Sequence, residues 1–103
     1  MKNRQDAIIL NLQRACEATI DLAMHIVSEK RYGIPQNSRE AFDFLIKNKI
    51  LKPELGLKMK KMIGFRNIAI HDYQSISQPI LIKILNSHLK DFLDFLNTVK
   101  KIF

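Results

Sequence analysis

Arg66, Asn67, His71 and Tyr73 fall within the eight-residue stretch RNIAIHDY, residues 66 to 73. An arginine can stabilise charge building up on phosphate oxygens. A histidine titrating near neutrality can take the proton from a 2′-hydroxyl or give one to a leaving group. Together the residue types suit a phosphodiester, and that chemistry requires no metal. Each also has a plainer reading: a capping or core histidine at His71, and a packed aromatic at Tyr73.

The element that must carry these residues is a helix predicted from about Pro53 to His71 or Asp72. At about 100° per residue, Leu55, Met59, Met62, Ile63, Ala69 and Ile70 share one arc, and Arg66 falls near its centre. A guanidinium there loses much of its water, which is costly unless something compensates it. Asp72, Glu17, Asp21, backbone carbonyls or a bound anion are the candidates, or the head group can snorkel to water. His71 lies about 140° round from Arg66, so the two converge only if the helix ends between them or a twofold axis brings them together from two subunits. Asn67 and His71, four apart, share a face. Tyr73 falls just past the predicted helix end.

The rest of the chain reads as three more helices. From Asp6 to Arg31 there is no Gly or Pro, and Ile8, Leu12, Ala15, Thr19, Leu22 and Ile26 recur at helical spacing. A second apolar line, Ile9, Cys16, Ile20, Ala23 and Val27, widens that face enough for the middle of a bundle or a subunit interface. YGIPQNS, residues 32 to 38, breaks the pattern, and Asn37 with Glu40 fits a capping box opening a short helix that ends near Lys49. Pro53 opens the third helix. Pro79 starts a fourth, in which Leu81, Leu85, Leu89, Phe92, Leu96, Val99 and Phe103 form one apolar stripe. Strand signals are weak. The expectation is an all-α, antiparallel four-helix bundle, one domain over residues 1–103.

The net charge of +7 is concentrated in one place. Residues 1 to 46 hold six basic and six acidic residues, residues 47 to 66 seven and one, and residues 67 to 103 four and three. The basic block runs from Lys47 to Arg66, straight into RNIAIHDY, and suits a polyanion or an acidic protein surface. Lys58, Lys60 and Lys61 are its candidate RNA-binding patch. Cys16 is the only cysteine, which excludes an intramolecular disulfide framework and a thiolate-rich metal site. With no secretory leader and no apolar run of about 18 residues, a cytoplasmic protein is expected. His25 and His88 lack partners at metal-ligand spacing and read as structural. GxGxxG, GxxxxGK[ST], GxSxG, HExxH and CxxC are all absent, and no cofactor is expected.

LKMKKMIGFRNIAIHDY, residues 57 to 73, resembles the signature of HepT-like toxins of the HEPN superfamily: Arg, four residues, His, one residue, Tyr. ILNLQRACEATIDLAMHI (residues 9 to 26) and GIPQNSREAF (residues 33 to 42) resemble the corresponding family segments in the same order. The resemblance implies a HEPN-like bundle that forms a homodimer, with Arg66 and His71 of both subunits lining a cleft. It implies a metal-independent ribonuclease encoded beside a minimal nucleotidyltransferase (MNT-type) antitoxin, which neutralises the toxin by transferring AMP to Tyr73. In that scheme Arg66 and His71 are catalytic, Asn67, Asp72 and Tyr73 position RNA or the histidine, and no metal is bound. Relatives usually begin one helix earlier, so the resemblance also implies a chain lacking the usual first helix. A non-catalytic helical partner of a nucleotidyltransferase is the alternative. A third possibility is a basic nucleic-acid binder without chemistry, whose binding would be lost on charge reversal of Lys58, Lys60 and Lys61 but be insensitive to His71.

Overall fold

The computed structural model describes residues 4–72 and 78–102, with side chains described throughout except at 4–6, 8, 67–72, 78, 81 and 85. Four helices follow in order: α1 Arg4–Glu29, α2 Ser38–Lys47, α3 Pro53–Asp72 and α4 Gln78–Lys100. No strand occurs among the described residues. α2 and α3 run antiparallel, since Asp43 meets Lys60 while Ile46 lies against Gly56. α3 and α4 are also antiparallel: the Phe65 ring lies tilted against His88, and the start of α3 shares a groove with the end of α4.

Both apolar lines of α1 are used. Ile9, Leu12, Cys16, Ile20, Ala23, Ile26 and Val27 are buried, with Ala15 and Leu22 packed at their margin, so α1 touches every other helix. Facing it are Phe42 and Leu45 of α2, Met59 and Met62 of α3, and Phe95 and Val99 of α4. The Phe42 and Phe95 rings meet edge to face, with centroids 5.8 Å apart and planes at 68°, in the arrangement that aromatic quadrupoles favour.

Local chemistry explains the helix ends. Asn37 caps α2, its side chain accepting from the Glu40 amide at 2.9 Å. Glu40 reaches back one residue further than in a standard capping box, to the amide of Gln36 at 3.3 Å. α1 stops at Glu29, two residues short of the predicted Arg31, because Tyr32 N–H donates to the Val27 carbonyl and Arg31 N–H to that of Ser28. α2 closes the same way, with Ile50 donating to Leu45 and Lys49 to Ile46. These are Schellman closures, which place one residue in the left-handed region, usually glycine. Here the positions hold Arg31 (φ 56°) and Lys49 (φ 61°).

The fourth helix departs from expectation. Its predicted single stripe is divided: Phe92 and Val99 are buried, but Leu89 and Leu96 are about half exposed, while Leu81, Leu85 and Phe103 lie outside the described side chains. The buried line is His88, Asp91, Phe92, Phe95 and Val99. Ile82, Leu89, Leu93 and Leu96 form a second apolar face roughly 110° round the helix. A long helix with apolar residues on two sides can turn either inward, and the phenylalanines that complete the Phe42 layer take the inner side.

Turning that side inward also buries a polar pair. His88 Nδ1 is 3.7 Å from Asp91 Oδ2, too far for a hydrogen bond, and this buried nitrogen has no hydrogen-bond partner among the described residues. Burial pulls the His88 imidazole below its ordinary value of 6.5, with the Asp91 carboxylate opposing the shift. The unfolded chain therefore binds this proton at a pH where the folded one does not. Stability should be full above about pH 6.5 and fall as pH drops from there towards the lowered folded value. The urea midpoint of the parent should drop between about pH 7.5 and 5.5 by more than that of His88→Phe, which has no imidazole to protonate. Equal drops in the two proteins would refute the assignment.

Candidate active site

Arg66 lies on the inward-facing arc of α3, as its spacing predicts. Met59 and Met62 are fully buried on its helix, Ile63 and Phe65 nearly so, and the Arg66 side chain is itself only 17% exposed. Glu17 of α1 meets it, with Nη1 donating to Oε1 at 2.8 Å. Among the compensations considered, Glu17 is one the fold supplies. The Glu17 side chain is 56% exposed, so the pair stands at the edge of the core with its carboxylate facing water. Cys16 lies fully buried beside the pair; burial pushes its thiol up to about 11, with Arg66 pulling it down and Glu17 pushing it further up. Such a thiol stays protonated and serves as packing.

α3 is continuous from Arg66 through His71 to Asp72. Five helical residues separate the arginine and histidine by about 140° of rotation and roughly 7.5 Å of rise. The helix does not end between them, so the first of the two routes to convergence is closed. Asn67 and His71 remain four apart on one face, and Asp72 is the last residue of the helix; the side chains of all three lie outside the described residues, as does Tyr73 entirely.

The three lysines of the candidate patch have different surroundings. Lys60 turns to α2, its Nζ 2.7 Å from Asp43 Oδ1 in a partly exposed pair. Lys58 lines a groove at the other end of α3, and Lys61 is exposed. Lys101, which lines that groove too, carries no sequence signal linking it to the others, because only the antiparallel packing of α4 brings it there. The His88–Asp91 pair has a weak signal, a three-residue spacing within one helix.

The family model described as Ribonuclease HepT-like matches residues 2–99. The chain belongs to the HepT-like ribonuclease family. This HepT-like chain is 47% identical over 96 residues to the mRNA nuclease HepT of Shewanella oneidensis, covering 93% of this chain and 72% of that one. It is 32% identical over 92 residues to the tRNA nuclease HepT of Aphanizomenon flos-aquae, covering 76% and 63% of the two. A solved structure of tri-AMPylated S. oneidensis HEPN toxin in complex with MNT antitoxin is similar at a TM-score of 0.86 and 46% identity, over 94% of this chain and 73% of that one. A toxin–antitoxin crystal structure with AMP-PNP gives 0.85 and 45%, over 92% and 72%. The HepT-like bundle is thus the fold of known toxins.

Proposed function

We propose that this HepT-like ribonuclease cuts RNA with Arg66 and His71 in a cleft shared by two copies of the chain, and that an MNT-type antitoxin silences it by transferring AMP to Tyr73. The observation that carries this reading is a guanidinium at the margin of an apolar core, paired with a half-exposed acid, on an unbroken helix that also carries a histidine. Family membership makes the chain a ribonuclease toxin of the HepT type, and relatives named as mRNA and tRNA nucleases support an endonucleolytic cut.

In the step, His71 takes the proton of a ribose 2′-hydroxyl as its oxygen bonds to the adjacent phosphorus. The bond from phosphorus to the 5′-oxygen breaks, and that oxygen receives a proton from imidazolium, leaving a cyclic phosphate. Arg66 donates to the non-bridging oxygens as their charge grows. Asn67 and Tyr73 position the strand, and Asp72 orients the histidine. A second copy resolves the separation along α3, because Arg66 of one subunit then faces His71 of the other. The exposed line Ile82, Leu89, Leu93 and Leu96 offers a homodimer apolar surface to cover, with three members seven residues apart. An AMP group on Tyr73 places a fixed negative charge where the RNA phosphate must sit, repelling it and occupying the arginine.

The test incubates the protein with total RNA in EDTA, before and after treatment with an MNT-type nucleotidyltransferase and ATP. Cleavage should persist in EDTA and vanish after treatment, with mass gained in units of AMP on Tyr73, while whatever activity Tyr73→Phe has before treatment should be the same after it. If the antitoxin silences Tyr73→Phe as fully as the parent, the modification site is elsewhere. No described helix is long and apolar enough to cross a membrane.

A further inference from the structure

Where α2 ends, α3 begins and α4 ends, the bundle encloses a groove of about 900 Å³. Lys47, Lys49, Lys52, Lys58 and Lys101 line it, against two carboxylates, Glu54 and Asp94, for a net charge of +3. None of the five lysines is in an ion pair among the described residues, in contrast to Lys60. Its floor is apolar, built from Ile46, Ile50, Leu51 and Leu55. Lys49 is held in the left-handed region by the closure of α2, at a position where glycine fits without strain, so a charge stands there against the backbone's preference.

We infer that this groove is a second RNA site, holding the phosphodiester backbone of a single strand away from the bond that is cut. The inference rests on the ribonuclease reading. Lys58 is thirteen residues from His71 on an uninterrupted helix, roughly 20 Å along its axis and about 140° round it, so a strand long enough to wrap partly around α3 reaches both. Unpaired lysines on three elements match a repeating series of phosphates. An apolar floor accepts base or sugar faces without demanding a sequence. The groove thereby makes affinity depend on substrate length while the chemistry at Arg66 and His71 stays the same.

The test measures binding of a long oligouridylate, and of one too short to span from His71 to Lys58, to the His71→Ala protein across a salt series. A parallel protein adds Lys49→Gly, Lys52→Gln and Lys101→Gln. Lys49→Gly is measured alone as well: it removes a charge and relieves the left-handed backbone, so weaker binding by that single variant does not come from unfolding. Each lysine that meets a phosphate contributes about 0.7 to the slope of log affinity against log salt on a single strand. For the long strand the slope should fall by roughly 2 in the triple variant, with about tenfold or greater loss of affinity, and for the short strand neither should change. An unchanged slope for the long strand, or equal losses for both lengths, overturns the proposal. So does polyglutamate binding that depends on these lysines while RNA binding does not, which assigns the groove to an acidic protein. Should the protein with His71 intact fail to cleave total RNA while the length-dependent slope change holds, the nuclease reading falls and the groove stands as an RNA site.

Discussion

Replacing His71 by alanine is expected to lower RNA cleavage by roughly 10²–10⁴-fold, the range for loss of a general acid–base catalyst. Arg66→Ala should cost roughly 10²–10³-fold through the lost charge stabilisation. The two substitutions differ in what they leave behind. Without Arg66, Glu17 loses its partner, but with its side chain 56% exposed it returns to water at small cost, so the variant should fold. Arg66→Lys separates charge from geometry: the ammonium keeps the charge but lacks the planar fork that grips two phosphate oxygens, and activity should recover only in part. Loss of the alkaline-rising limb of the pH–rate profile in His71→Ala would mark the histidine as the titrating group. Cleavage by either alanine variant at the parent's rate would remove it from the catalytic assignment.

Phe95→Ala should be the most damaging core truncation in α4. The side chain is fully buried and meets Phe42 edge to face at 5.8 Å, so its removal leaves a cavity at the junction of α2 and α4. A cost of about 3–5 kcal/mol is expected. In a domain of this size each kcal/mol moves Tm by about 4–8 °C, which places the drop at roughly 12–40 °C. Leu96→Ala, one residue on but half exposed, should cost under about 1 kcal/mol at low protein concentration. Comparable losses in the two variants at low concentration would show that α4 presents a different face to the core. An effect of Leu96→Ala that grows with concentration would place that leucine in the contact between copies.

The contrast between Phe95 and Leu96 also marks the boundary of what sequence reasoning can resolve. Periodicity specified four helices because it depends on local rules: Asn37 satisfies its own helix's free amides, Pro53 suits a first turn, and no Gly or Pro interrupts α1. The same rules fixed α3 as one helix through Asp72 and set the angle between Arg66 and His71, and the motif spacing carried the family. In α4 they were insufficient. Apolar residues occupy two sides, and the inner one is decided by shape against Phe42 and Phe65, at the expense of burying His88 and Asp91.

Chain order alone therefore determined the helices, the basic block between Lys47 and Arg66, and the placement of an arginine in an apolar arc. Tertiary packing decided which acid meets that arginine, since Glu17 was one of three carboxylates considered and is 49 residues distant. It also sorted the lysines, sending Lys60 to Asp43 and gathering Lys58 with Lys101 across antiparallel helices. Periodicity reports which residues share a helix face. Only the packing of one helix on another sets what that face meets, because burial and ion pairing depend on distances that the spacing along the chain does not encode.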